Sequence, residues 1–285
     1  MLTDLHILPV VRAALAEDSP WGDVTSENLI PAEAVATARL VAREPGVFSG
    51  GAVFAAAMTL TSAAIDVTVF LADGEPFERG AILAEVSGPA RAVLTAERVA
   101  LNFVQRMCGI ATITALYVSE VADTRARIVD TRKTTPGLRR FERHAVRSGG
   151  GSNHRFSLSD AVMAKDNHLA VLTAGGRDLT EALLDVRGRL SHTTHFEVEV
   201  DRIDQIEPVL AAGIDTIMLD NFSLAQLREG VAIVAGRAIV EASGSVNLDT
   251  VGDIARTGVD IISVGALTHS VRSLDLGLDI SLDAP

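Results

Sequence analysis

The sequence predicts a two-part α/β protein: a small α/β layer domain over residues 1–110 and an incomplete α/β barrel over residues 111–285, TIM-like with fewer than eight strands. Three observations carry this. From about residue 125 onward, short apolar runs recur between helix-length stretches whose apolar residues fall at helical spacing. Such alternation makes parallel strands joined by right-handed crossovers. The chain left for them is shorter than the roughly 250 residues of an eight-unit barrel. An open doubly wound sheet is the other arrangement that this pattern allows.

In the first part, HILPVVRAALAED and GAVFAAAMTLTSA read as helices, and ATARLVARE, IDVTVFLA and AILAEVSG as strands. Gly and Pro in EPGVFSGG, ADGEP and SGP mark the turns between them. Thr95 then reads as the N-cap of the helix AERVALNFVQRM, with Glu97 complementing the helix dipole. Arg98 would oppose that dipole in the first turn, so it is expected to serve something else. In the second part the strands are ARIVD, DAVMAK, HFEVEV, TIMLD, AIVEA and IISVG. Segments such as DLTEALLDVRGRL and DQIEPVLAAG supply helices between them.

Composition narrows the function classes. Hydrophobic residues make up 48% but aromatics only 4%, so the core must rest on Ala, Val, Leu and Ile. A net charge of −12 argues against binding nucleic acid by overall charge. No uninterrupted apolar run has the length of a membrane span; VALNFVQRMCGIATITALYV is broken by Asn102, Gln105 and Arg106. The N-terminus lacks the basic region and cleavage site of a signal peptide. The single cysteine, Cys108, permits neither an internal disulfide nor a multi-thiolate metal site and fits a reducing cytoplasm. Its apolar helical neighbours predict a packed, inert thiol.

Chemistry collects where the strands end. ARIVD runs into Thr131, Arg132 and Lys133, DAVMA into Lys165, TIML into Asp220, AIVE into Ser243 and Gly244, and IISV into Gly265. In parallel barrels these C-terminal ends share one face, which carries the active site. Alternation in FEVEV puts Glu197, Glu199 and Asp201 on one side and Phe196, Val198 and Val200 on the other. The apolar side must face the helices, so the acids point inward and need cations: Arg132, Lys133 and Lys165. The deeper Glu197 suits an internal ion pair, and Glu199 the mouth. The glycine-serine turns ASGS and VGA suit phosphate, through backbone amides and a helix start.

Residues 128–155, IVDTRKTTPGLRRFERHAVRSGGGSNHR, concentrate positive charge in this acidic chain. Within LRRFERHAVR, Leu138, Phe141, Ala145 and Val146 form an apolar stripe. Arg139, Arg143 and Arg147 line another face, expected to be exposed or a subunit contact. Arg132, Lys133, His154 and Arg155 flank that helix and are expected to meet substrate.

These blocks, with AKDNH, EVEVD, LDNF, EASGSVNLDTV and TGVDIISVGALTHS, resemble the quinolinate phosphoribosyltransferases; LTAERVALNF and EDSPWGDVTSENLIP extend the resemblance to the first part. The resemblance implies an N-terminal α/β sandwich, a C-terminal incomplete barrel, and final residues that pack back on the first domain. It implies a cytoplasmic homodimer, possibly a higher oligomer, in which Arg98 reaches the partner's site. The implied reaction joins quinolinate to phosphoribosyl pyrophosphate with Mg²⁺, releasing pyrophosphate and CO₂, with neither nucleic acid nor membrane as partner. By the same resemblance, Arg98, Arg132, His154 and Arg155 hold quinolinate, with Thr131 beside them. Lys133 and Lys165 lie between the base and pyrophosphate, and Glu199 and Asp220 face the ribose cation and Mg²⁺. Ser243, Gly244 and Ser245, with Val264, Gly265 and Ala266, hold the 5′-phosphate. Three alternatives stay open: a related molybdenum-locus protein, a Schiff-base aldolase using Lys165, and a non-catalytic dicarboxylate- or anion-binding protein.

Overall fold

A computed structural model describes residues 2–281. In chain order the first elements are α1 (Asp4–Asp18), α2 (Val24–Leu29), β1 (Val35–Ala42), β2 (Gly46–Val47), α3 (Gly51–Thr59), β3 (Asp66–Val69), β4 (Pro76–Phe77), β5 (Ile82–Pro89) and α4 (Ala90–Glu120). There follow β6 (Arg127–Val129), α5 (Arg139–Ser148), β7 (Val162–Ala164), α6 (Asp166–Leu172), α7 (Leu179–Arg189), β8 (Phe196–Val200), α8 (Ile206–Ala211) and β9 (Thr216–Asp220). The last are α9 (Leu224–Val234), β10 (Ile239–Ser243), α10 (Leu248–Ala255), β11 (Ile261–Ser263), α11 (Ala266–His269) and β12 (Leu276–Ser281). Two compact units interleave along the chain. One holds the residues up to Ala115, 134–150 and the chain from Ser270 on; the other holds 116–133 and 151–269.

The first unit is built on a four-stranded antiparallel sheet of order β12-β1-β5-β3. Along β1, Ala36, Ala38, Leu40 and Ala42 are buried while Val35 and Arg39 are exposed, the period-two pattern of a sheet with one face on a core. Arg39 meets Glu85 across the β1–β5 pair at 2.8 Å. The small side chains that composition demanded do the packing: α4 buries Val93, Ala96, Ala100, Val104, Cys108 and Ala111 at three- and four-residue spacing. Burial raises the Cys108 thiol to about 12, so it packs rather than reacts.

Two expectations about α4 are corrected. The helix starts at Ala90, straight after Pro89, and Thr95 lies inside it with its hydroxyl donating to Arg91 O. Thr95 therefore caps nothing, and Arg98 stands in the third turn, where it does not oppose the dipole. The polar interruptions also do not break the run: α4 is long and apolar enough to cross a membrane by length and composition, with 56% of its most apolar window buried inside the protein. Asn102 and Arg106 fall on one side of the helix and leave the apolar stripe continuous.

A third correction concerns α5. Arg143 is buried, as are Phe141, Glu142, Ala145 and Val146, so its arginines do not form one exposed face. Glu142 is satisfied by Arg106 Nε at 2.9 Å and by Thr135 N–H at 3.1 Å, and Phe103 stacks on Phe141.

The second unit is a six-stranded, all-parallel sheet of order β6-β11-β10-β9-β8-β7, formed by the six runs read from the sequence. Beyond β6 the described residues add one isolated parallel bridge, Val129 with Ser152. This is an incomplete α/β barrel.

Candidate active site

All six strands point their C-terminal ends at one cavity of about 430 Å³. Register sets who meets whom: Ser243 is opposite Asp220, and Glu199 opposite Met218. The cavity walls include Thr131, Arg132 and Lys133 after β6, Lys165 after β7, Glu199 on β8, Asp220 on β9, Ser243 on β10, and His154 and Arg155 from the loop before β7. These nine expected site residues are brought together. Glu199 pairs with Lys165, an ion pair at the mouth, and Asp220 accepts from Asn221 Nδ2 at 2.6 Å.

Other expected residues lie elsewhere. Arg98 is exposed on α4 in the first unit and forms no part of this wall. Gly244, Ser245, Val264, Gly265 and Ala266 stand just past β10 and β11, outside the lining. Their backbone is specialised: Gly244 has φ +98°, and a Cβ there would come within 2.2 Å of Asn221 Oδ1. Asn221 and Ser245, at the ends of β9 and β10, are two of the three non-glycine residues with positive φ among those described. Asp201 is a correction. It falls one residue past β8, exposed, with Arg202 as its partner, because β8 ends at Val200 and alternation no longer applies.

Below the mouth sits a layer that the sequence reading only half found. Glu197 and Glu241 are 3% and 1% exposed, and each brings Oε2 to 3.4 Å from His154 Nε2. Their Oε1 atoms have no hydrogen-bond partner. Burial disfavours charge on the His154 ring, while the two carboxylates favour it and, taken without the ring's other edge, would raise its pKa to about 10. On the ring's other edge, Arg155 N–H points at Nδ1 from 2.7 Å, a bond that only an unprotonated Nδ1 accepts. The two edges make opposite demands. Burial, assisted by the like charge of Glu241, also moves Glu197 above the usual carboxylate range against the opposing pull of His154, and burial with Arg132 nearby moves Arg155 below the usual guanidinium one.

Asp130, fully buried, fixes the same loop by accepting from Asn153 Nδ2 at 2.6 Å and His154 N–H at 2.8 Å. Arg155 Nη1 donates to Ala161 O at 2.9 Å. Sequence reasoning missed Asp130 and Glu241. The alternation that exposed FEVEV also places Ile239, Glu241 and Ser243 on one side of β10, so the signal for Glu241 was present.

A cation-rich cavity with two acids at its mouth suits two anionic substrates and a transient positive charge between them. Residues 23–108 match the quinolinate phosphoribosyl transferase N-terminal domain, and residues 110–279 its C-terminal domain. A Mycobacterium leprae protein named nicotinate-nucleotide pyrophosphorylase [carboxylating] is 43% identical, with 95% of each chain covered. A Bacillus subtilis protein named probable nicotinate-nucleotide pyrophosphorylase [carboxylating] is 38% identical over 99% of this chain and 96% of its own. The crystal structure of NadC from Streptococcus pyogenes superposes with a TM-score of 0.94 at 39% identity, covering 100% of this chain and 99% of that one.

Proposed function

The chain belongs to the quinolinate phosphoribosyl transferase family, and from that premise we propose how its residues share the work. The reaction transfers phosphoribosyl from phosphoribosyl pyrophosphate to quinolinate with decarboxylation, giving nicotinate mononucleotide, pyrophosphate and CO₂ in de novo NAD synthesis. In classification it is a type II phosphoribosyltransferase. One observation supports the assignment of roles above all others: Arg132, Lys133, Arg155 and Lys165 ring a single cavity that also holds Glu199 and Asp220.

Arg132 and Arg155 grip the quinolinate carboxylates, since planar guanidinium groups bind carboxylates in bidentate fashion. Thr131 and His154 complete that wall, and Arg98 is contributed by the partner subunit of a homodimer. Lys133 and Lys165 lie between the base and the pyrophosphate. Ser243, Gly244, Ser245, Val264, Gly265 and Ala266 hold the 5′-phosphate by backbone amides and hydroxyls. The quinolinate nitrogen forms its bond to ribose C1 as the C1–oxygen bond to pyrophosphate breaks. Positive charge on the ribose ring is stabilised by Glu199 and Asp220. The C2–carboxylate bond then breaks, its electron pair stays at C2 beside the cationic nitrogen, and C2 takes a proton. For that step the protein supplies position and field.

Glu199 and Asp220 are oxygen donors of the kind Mg²⁺ takes, directly or through water. Mg²⁺ there would supply positive charge against the departing pyrophosphate. The Lys165–Glu199 ion pair speaks against a Schiff-base aldolase, whose lysine needs a desolvated amine without a carboxylate on it. The cytoplasm, where thiols stay reduced, suits the single cysteine. Incubation with quinolinate, phosphoribosyl pyrophosphate and Mg²⁺ is expected to release CO₂ and nicotinate mononucleotide. Dicarboxylate binding without product would leave an anion-binding protein instead.

A further inference from the structure

His154, Glu197 and Glu241 place three potential ligand atoms within 4.8 Å of one another, with two carboxylate oxygens otherwise unsatisfied. Three occupants of that space are conceivable: a metal ion, a second ring proton, or the single proton of a neutral imidazole. Arg155 N–H decides among them. It lies 2.7 Å from Nδ1, against 3.4 Å for each carboxylate on Nε2, so it is the stronger of the ring's contacts. An N–H pointing at Nδ1 needs the lone pair there. A doubly protonated ring would set two N–H groups against each other, and the carboxylates' pull on the ring has no other nitrogen on which to place the second proton. Metal on Nε2 fails for the same reason, because a ring with metal on one nitrogen carries its proton on the other.

We propose that His154 is a positioning residue: held as the neutral Nε2–H tautomer, it bridges Glu197 on β8 and Glu241 on β10 and, through Nδ1, anchors the backbone amide of Arg155. The ring thereby ties a loop to two strands. Asp130, on the loop after β6, holds the same segment from the other side through Asn153 and the His154 amide. Arg155, further fixed by Ala161 O, is left with its guanidinium group at the cavity. The charged groups facing the ring are Glu197, Glu241 and Arg155, with Arg132 next to Arg155 and Asp130 at the loop backbone. On this arrangement His154 acts on the dicarboxylate through Arg155, and its kinetic consequence rests on reading the cavity as the quinolinate pocket.

The full-length protein labelled with ¹⁵N-histidine tests this without substrate. His154 is identified by the signal that His154→Gln removes, and both ring nitrogens are followed from about pH 6 to 8. One proton, on Nε2, throughout is the expected result, and added Zn²⁺ is expected to leave both signals in place. A proton on Nδ1, a doubly protonated ring near neutrality, or a Zn²⁺-shifted Nε2 overturns the proposal. Kinetics provide a second arm. Glu241→Ala is expected to raise the quinolinate KM about tenfold, with a smaller effect on kcat, through the lost bond on a buried partner. Glu241→Gln still accepts from Nε2–H, so its smaller rise in KM should run parallel to wild type across pH. A new ionisation in that profile would mean that Glu241 had kept the ring charged, and would overturn the neutral tautomer. Wild-type protein that makes no nicotinate mononucleotide would sink the reading of the cavity, while the tautomer is decided on the free protein either way.

Discussion

The two ends of the six-stranded sheet carry similar residues to opposite effect. At the N-terminal strand ends a depression of about 850 Å³, larger than the cavity at the C-terminal ends, contains Arg125, Asp215, Arg237 and Asp260. There each cation closes on an acid. Arg187 takes Asp215 through both terminal nitrogens at 2.8 and 3.2 Å, Arg125 meets Asp260 at 3.1 Å, and Arg237 forks onto Glu207 at 2.7 and 2.9 Å. At the C-terminal ends Lys165 pairs with Glu199 at the mouth, and Arg132, Lys133 and Arg155 line the same cavity beside it. Volume does not distinguish a site from a dent. The disposition of charge does: pairs closed on one another have little field left for a ligand, whereas Arg132, Lys133, Arg155 and Lys165 converge on one cavity.

The largest expected effects break that contrast at the C-terminal end. Glu199→Gln should lower kcat by about 10²–10³-fold with little change in KM, as removal of transition-state charge stabilisation does. The matching change at the other end, Arg187→Ala, should leave kcat and KM within about twofold, since this half-buried pair lies at the opposite ends of the strands from the cavity. An unaltered kcat in the first, or a collapsed one in the second, would erase the distinction between the ends. Chelation of Mg²⁺ should likewise stop turnover, with recovery when Mg²⁺ is restored; activity that persists in chelator would remove the metal from the account.

A second experiment asks whether the C-terminal face is complete within one chain. Arg98→Ala and Lys165→Ala proteins, each inactive, should regain roughly a quarter of wild-type activity after mixing and subunit exchange, since half the dimers then carry one intact site. No recovery would mean that the sites are not shared. A smaller effect is expected for Arg155→Ala: a quinolinate KM raised about 10–100-fold, the scale of a lost charged hydrogen bond, with the phosphoribosyl pyrophosphate KM less affected.

The smallest effect sharpens the other side of the contrast. Burial opposes charge on Asp215, but Arg187 and the Phe196 amide outweigh it and hold its pKa below the ordinary carboxylate value. A depressed carboxylate stabilises the fold above its unfolded pKa, and that contribution disappears as pH falls through the folded one. Asp215→Asn should therefore lower Tm slightly near neutrality, and the gap to wild type should close on acidification. A gap that widens in acid would mean that Asp215 is not the charged partner of Arg187.

Local pattern made much of this legible. The six parallel strands were visible as six apolar runs, and nine site residues as the polar residues that follow or flank them, because side-chain alternation and strand-to-loop transitions are written within a few residues. Glu241 was legible by the same rule and was missed. The start of α4 was misread because Thr95 has the chemistry of a cap, whereas Pro89, a residue without an N–H to offer a continuing strand, marked the true boundary. Arg143 was misplaced because helical spacing identifies one apolar face and says nothing of a second buried side.

By itself, then, the sequence determined which segments are strands, which ends carry charge, and to which family the chain belongs, since periodicity and motif spacing are properties of neighbouring residues. Only the tertiary structure decided that β12 pairs with β1 some 240 residues earlier, that β10 brings Glu241 beside Glu197 under one imidazole, and that the Arg155 amide faces that ring. Those relations depend on strand order and register. Both are settled when distant segments compete to bury the same apolar surface, and no local pattern records the outcome.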